Sequence, residues 1–160
     1  MSLTLRPARS TDAGQIGEIL HGFSKETAWM PDLYTGAETI AFCGEMIDRG
    51  WVTVAEAEGG ILGFLARDGG EICSLYVATE ACGRGIGKRL LDAAKGQVGT
   101  EAEALRLSLW TFQANQGAQR FYRREGFAEV RRSDGNRNEE GLPDIEFVWP
   151  SCDGKLEEPA

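Results

Sequence analysis

The sequence predicts an α/β (α+β) fold, a mixed seven-stranded sheet flanked by about four helices, and three observations carry that expectation. Stretches that alternate apolar and polar residues, such as Leu105-Arg106-Leu107-Ser108-Leu109, interchange with stretches whose apolar residues recur every three or four positions. The pairs Gly59-Gly60 and Gly69-Gly70 join successive strands in the first half, as antiparallel neighbours need. The run Glu71–Leu91, EICSLYVATEACGRGIGKRLL, then passes from strand into helix, the crossover that makes strands 4 and 5 parallel.

Taken in order, Leu3-Thr4-Leu5-Arg6 is a first strand ended by Pro7. Asp12, with Gln15 three residues on, reads as a capping box for a helix from about Ala13 to Ser24. Ile16, Ile19, Leu20 and Phe23 share one face of it, and His21 lies off that face as a surface residue. Pro31 interrupts the helical pattern within Trp29–Tyr34. A second helix carries Ile40, Cys43, Gly44 and Ile47 and stops before Gly50. Trp51–Ala57 and Ile61–Ala66 form a hairpin around Glu58-Gly59-Gly60, and Asp68-Gly69-Gly70 turns the chain into the fourth strand. Ile86, Leu90, Leu91 and Ala94 mark the third helix, and Leu105–Leu109 the fifth strand. Asn115–Arg124 is a short helix closed by Gly126, followed by strands at Phe127–Arg131 and Asp144–Trp149. Residues 1–150 are expected to form a single domain and 151–160 a polar C-terminal tail.

Composition excludes several classes of function. Asp and Glu number 25 against 17 Lys and Arg, a net charge of −8. Nucleic-acid binding runs on basic residues and is not expected. The charge suits a cationic acceptor such as an amine, or serves solubility alone. No apolar run approaches the roughly 20 residues that span a bilayer, so no membrane partner is expected. Neither a basic-then-apolar start nor a C-x-x-C pair occurs, which points to reduced thiols in the cytoplasm. With His21 as its one histidine the chain offers no zinc site, and nucleophile schemes built on histidine fall away.

The junction Gly83-Arg84-Gly85-Ile86-Gly87-Lys88 carries the strongest local signal. Glycines admit backbone close to a ligand, and the first amides of a helix have no internal acceptors. They also carry the positive end of the helix dipole, so phosphate is the natural guest. Arg84, Lys88 and Arg89 add charge there. The P-loop pattern fails, because Cys82 occupies its first glycine and Arg89 follows the lysine. The dinucleotide pattern fails as well, with Lys88 or Leu90 at its third glycine.

Downstream, NQGAQRFYRREGF places Asn115 seven residues before Tyr122, with Gly126-Phe127 shortly after. Together with Leu75-Tyr76-Val77 and Cys82–Gly87, this order resembles the GNAT family of N-acetyltransferases. The resemblance covers the chain in element order. It departs at Cys82, where the family usually has Gln or Arg, which implies altered contact with the pyrophosphate.

The resemblance implies acetyl-CoA as cosubstrate and an amine-bearing small molecule or peptide as acceptor. Family members are often homodimers. Strands 4 and 5 would be splayed, with the pantetheine arm between them. Leu75, Tyr76, Val77, Gly83, Arg84, Gly85, Ile86, Gly87, Lys88 and Asn115 are then the cofactor-binding candidates. Backbone groups of Leu75 and Val77 would pair the arm as an added strand does, and a nearby amide would polarise the thioester. Tyr122 matches the family's usual acid, since a phenol is protonated at neutral pH and can donate to a thiolate. Beside Phe121 it is otherwise core filler. Asn115 serves as helix cap, as ligand, or as both.

The base stays open. Some members carry a Glu five residues before the Asn; Trp110 stands there and takes no proton. Glu71 is the best replacement by location, or else a solvated strand end. Cys73 is disfavoured as a nucleophile, since most buried cysteines are inert. Trp29, Met30 and Tyr34 either wall the acceptor pocket or staple helix ends to the core. Asn138, Glu139 and Glu140, in the long Asp134–Asp144 connection, either recognise a cationic amine or form a solvated acidic loop. Two alternatives to catalysis remain: an acyl-CoA-binding sensor on the same fold, and a ligand-free interaction module.

Overall fold

A computed structural model describes residues 2–100 and 106–150. Leu105 and the 151–160 tail lie outside the described residues. One seven-stranded sheet runs in the order β1-β2-β3-β4-β5-β7-β6. Its strands are β1 Thr4–Pro7, β2 Val52–Ala57, β3 Gly60–Asp68, β4 Glu71–Val77, β5 Leu107–Phe112, β6 Ala128–Ser133 and β7 Asp144–Trp149. The helices are α1 Ala13–Glu26, α2 Gly36–Asp48, α3 Ile86–Thr100 and α4 Gln116–Arg124. β4 and β5 run parallel and pair at Glu71↔Ser108, beside a bond from Ser108 N–H to Gly70 O at 2.8 Å. No helix among the described residues is long and apolar enough to cross a membrane.

The chain forms two compact units. The first takes the residues up to Asp68 together with Ile72–Ala94. Its core joins one stripe of each helix to the inward residues of the hairpin: Ile16 of α1, Cys43 and Met46 of α2, Val54 of β2, and Phe64 of β3. Burial pushes the Cys43 thiol up to about 11, so it stays protonated and behaves as a small apolar group. Gly17 lets α1 and α2 touch. A Cβ there would lie 2.5 Å from Ile40 Cγ1 and 2.9 Å from Ile40 Cα.

The expected capping box at Asp12 and Gln15 does not form. Asp12 is the residue before α1, but its side chain makes no cap bond to the helix. Its carboxylate instead accepts from Arg6 Nη1 at 2.8 Å and from the Arg9 amide at 2.7 Å. Gln15 Oε1 leaves the helix to accept from Ile61 N–H of β3 at 3.0 Å. An arginine on a neighbouring strand outcompetes an amide as partner, because the bond is charge-assisted. The capping box appears one helix later, where Thr35 Oγ1 accepts from Glu38 N–H and Glu38 Oε1 accepts from Thr35 N–H.

The second unit takes Gly69–Glu71 and the residues from Lys95 on. β5, β7 and β6 pair antiparallel across it, with Leu109 opposite Phe147. Leu107, Leu109, Ile145 and Phe147 are buried with Tyr122 and Phe127. Lys95 ties α3 to the end of α4: its Nζ donates to Glu125 O at 2.6 Å and sits 5.2 Å from the Trp149 ring.

Two predictions follow from the first unit. Gly17→Ala should destabilise by roughly 1–3 kcal/mol, because the new methyl meets Ile40 backbone as well as side chain. Thermal unfolding reads this as a loss of several degrees. The second concerns Asp12, whose carboxyl is held below the usual carboxylate range by the hydrogen bonds from Arg6, against the effect of burial. Its contribution is complete above the unfolded value near 4 and is lost as pH falls through the lower folded value. Urea unfolding should therefore show Asp12→Asn less stable than wild type at pH 7, with the gap closing at pH 3.

Candidate functional site

In the first unit the strand-to-helix junction is fixed from beneath by apolar packing. Ile86 is buried at the first residue of α3. Gly63 of β3 makes room for it: a Cβ at Gly63 would lie 3.0 Å from Tyr76 O and 3.3 Å from Ile86 Cγ2. Leu90, Leu91 and Ala94 continue the buried stripe. The junction itself faces outward, with Gly83, Arg84, Gly85, Lys88 and Arg89 all exposed.

Gly83 and Gly85 have φ of +84° and +79°, the left-handed region where a side chain is strained. A Cβ on either would meet nothing within 4 Å. Their requirement is thus conformational, and the expectation that they clear space for close approach takes second place. Arg89 N–H donates to Gly85 O at 3.0 Å and is the first amide bonded one turn back. Ile86 and Gly87 precede it, so their amides have no acceptor within the helix.

The cations at this turn are less uniform than the sequence suggests. Lys88 Nζ is 3.2 Å from Asp92 Oδ2, and Arg89 Nη2 is 3.4 Å from Leu3 O. The Lys88–Asp92 pair is exposed, and such pairs are weak enough to yield to a phosphate. Cys82 is exposed, with Sγ 3.5 Å from Ala78 O and 3.9 Å from Val77 O.

Leu75, Tyr76 and Val77 are half-buried at the end of β4. Tyr76 packs at a tilt against Phe23 of α1 with ring centroids 5.1 Å apart, and Phe23 meets Trp29 edge-to-face at 6.2 Å. Met30 N–H closes a turn onto Thr27 O at 3.1 Å, and Tyr34 is 48% exposed. Thr79 Oγ1, in the short 3-10 turn after β4, donates to Glu26 Oε1 at 2.7 Å. Phe23 and Glu26 escaped the sequence reading. The sequence marks Phe23 only as a core residue of α1, and its spacing of six residues from Trp29 is the available signal.

In the second unit Asn115 caps α4, its Oδ1 accepting from Ala118 N–H at 3.1 Å. The cap role is therefore filled, and the amide nitrogen keeps its donors. Tyr122 is 8% exposed and edges against Phe121 at 5.2 Å and Phe127 at 5.5 Å. Glu71 is exposed at the start of β4. Trp110 is exposed, with the Arg131 guanidinium 5.4 Å above its ring. Cys73 is exposed, which removes burial as the ground for discounting it.

The connection between β6 and β7 is knitted to itself. Asn138 Nδ2 donates to Leu142 O at 2.8 Å and to Asp144 Oδ2 at 3.2 Å, and its Oδ1 accepts from Leu142 N–H. Ser133 Oγ bonds Asp144 Oδ1 and accepts from Gly135 N–H. Asn138 is thus engaged by the loop, while Glu139 is exposed and Glu140 half-buried. Among the described residues no cluster of His, Cys, Asp or Glu could hold a metal ion.

Residues 48–129 match the family model of the acetyltransferase (GNAT) domain. Among solved structures the chain is similar to the apo form of YjaB from Escherichia coli, with 19% identity over 94% of this chain and 99% of that one and a TM-score of 0.75. It is also similar to the ribosomal-protein-alanine N-acetyltransferase of Brucella melitensis, with 22% identity, 91% and 98% coverage and a TM-score of 0.73. A third is yncA of Salmonella typhimurium, solved with acetyl-CoA, with 20% identity, 100% and 97% coverage and a TM-score of 0.71. At these identities the likeness is one of fold. No curated protein matches the sequence.

Proposed function

The chain belongs to the GNAT acetyltransferase family, and from that membership we propose an N-acetyltransferase that moves an acetyl group directly from acetyl-CoA to a primary amine. Residues 1–150, both units together, make up the proposed catalytic domain, and the cytoplasm is its proposed location. One observation carries the proposal: two left-handed glycines lead into a helix whose first amides, at Ile86 and Gly87, have no acceptor within it. Such a turn suits a diphosphate, with Arg84 and Lys88 adding charge. Leu75, Tyr76 and Val77 offer strand backbone to the pantetheine arm, and the Asn115 amide offers a donor.

In the proposed step the neutral amine nitrogen attacks the thioester carbonyl carbon. The C–N bond forms, the C–S bond breaks, and the nitrogen gives up one proton. Tyr122 donates to the departing thiolate and Glu71, through water, takes the proton from nitrogen. An amide beside the carbonyl steadies the oxyanion. The proposed acceptor-binding residues are Trp29, Met30 and Tyr34 in the first unit and Asn138, Glu139 and Glu140 in the second. An acyl-CoA sensor is the second reading. The observation favouring it is Trp110, an indole stacked under Arg131 at a position where some members carry a Glu.

Two variants test these assignments. Gly85→Glu, placing a carboxylate where phosphate would sit on a residue at φ +79°, should abolish saturable binding of coenzyme A in calorimetry; retained affinity counts against the turn. Tyr122→Phe should bind coenzyme A but lose about 10²-fold or more in kcat, read as thiol release over an amine panel. Undiminished turnover removes Tyr122 as the acid, and coenzyme A binding with no turnover on any amine favours the sensor.

A further inference from the structure

We propose that Gln119 is a positioning residue: its side chain fixes α4 against the end of β5 and so sets where the Tyr122 hydroxyl stands. The proposal rests on the acetyltransferase reading with Tyr122 as its acid. All of its observations lie within the second unit.

α4 has nine residues, too few to hold its shape or its place unaided. Tyr122 follows Gln119 by three positions, so the two share a face of the helix. The half-buried Gln119 side chain reaches back across the bend between β5 and α4. Its Nε2 donates to Gln113 O at 2.8 Å and to Phe112 O at 3.3 Å. Both donors of the amide are used, and both tie the helix to the carbonyls at the end of the strand. Phe112 O also accepts from Asn115 N–H at 2.9 Å, which closes the same bend. An apolar side chain at 119 would pack there, but packing has no direction and leaves the helix free to turn or slide.

Those carbonyls are themselves anchored. Phe112 pairs with Asp144 at the end of the β5–β7 ladder. Gln113 N–H donates to Pro143 O at 2.9 Å, and its Nε2 donates to Ser133 O and Asp144 O, each at 3.2 Å. One glutamine joins the end of β5 to β6 and β7, and the second carries that fixed point into α4. On the far side of Tyr122, Lys95 Nζ holds Glu125 O. Gln119 and Glu125 stand three residues before and three after the tyrosine, so its turn of helix is held at both ends. Phe121, Phe127 and Phe147 confine the ring. The two backbone anchors decide where the confined ring lies. Proton transfer needs the hydroxyl within hydrogen-bond reach of the sulfur, and a misplacement of about 1 Å costs up to about 10²-fold. With Lys95 still in place, loss of Gln119 shifts one end of the helix and leaves the other attached.

A double-mutant cycle on the full chain tests the proposal. Thiol release from acetyl-CoA is followed with whichever of spermidine, 2-phenylethylamine, lysine and alanyl-glycine amide wild type uses fastest. Gln119→Leu keeps the size and helix propensity of the residue and removes its donors. It should lower kcat by at least about five-fold, the scale of one hydrogen bond, with KM for acetyl-CoA and calorimetric affinity for coenzyme A unchanged. Gln119→Glu has the shape of glutamine without its donors, so it should lose as much and serves if the leucine variant does not fold. In the Tyr122→Phe background either substitution should cost less than about two-fold more, because a residue acting through the hydroxyl has nothing left to position. A general loosening of the fold would instead multiply the two losses. Multiplied losses, an unchanged kcat, or a loss confined to KM for acetyl-CoA overturns the proposal and leaves Tyr122 as the acid. Undiminished turnover in Tyr122→Phe removes the acid and the proposal together, and no release with any of the four amines removes the acetyltransferase reading on which both stand.

Discussion

Arg89 is the first residue of α3 whose amide closes a bond one turn back, onto Gly85. The amides just before it, at Ile86 and Gly87, therefore depend on something outside the helix. Two left-handed glycines set the path of the chain into that turn, and a buried isoleucine holds it down. Gly63 on β3 exists for the same end, since a side chain there would lift Ile86 and press on Tyr76. The first unit is thus built so that a short arc of backbone donors is rigid beneath and open above. That combination suits a ligand whose negative charge is large and whose shape is fixed by its own covalent frame.

The second unit places its polar groups by a different logic. Tyr122 sits among Phe121, Phe127 and Phe147, edge-on to the first two and tilted against the third, so aromatic contacts hold its ring. A hydroxyl on so constrained a ring can be aimed with little entropic cost. Asn115 has one of its two amide ends committed to the helix it starts. The β6–β7 connection spends Asn138 and the buried Asp144 on itself. A polar loop read from composition alone cannot distinguish carboxylates that face a substrate from groups that hold the loop shut.

Most of the fold was legible in the sequence because its signals are local. Alternation gave the strands, Gly59-Gly60 and Gly69-Gly70 gave their reversals, and the Glu71–Leu91 run gave the crossover. The glycine turn was legible too, though its physical reason differed: Gly83 and Gly85 are required by φ, with open space where a Cβ would stand. What the sequence hid was the choice of partner. Asp12 looks like a helix cap until Arg6, six residues away, lies across from it, and Gln15 looks like its partner until Ile61 offers an amide. Phe23 reads as core because its spacing says so; only the structure brings Trp29 and Tyr76 to either side of it. A cysteine within a strand reads as buried, but Cys73 falls on the outward phase of β4.

Hydrogen exchange of individual backbone amides, with and without coenzyme A, tests the central claim most directly. The account predicts that Ile86 and Gly87 slow markedly on addition of the ligand, by gaining acceptors that the helix does not provide. Saturable binding that leaves those two amides unchanged and protects others would contradict it.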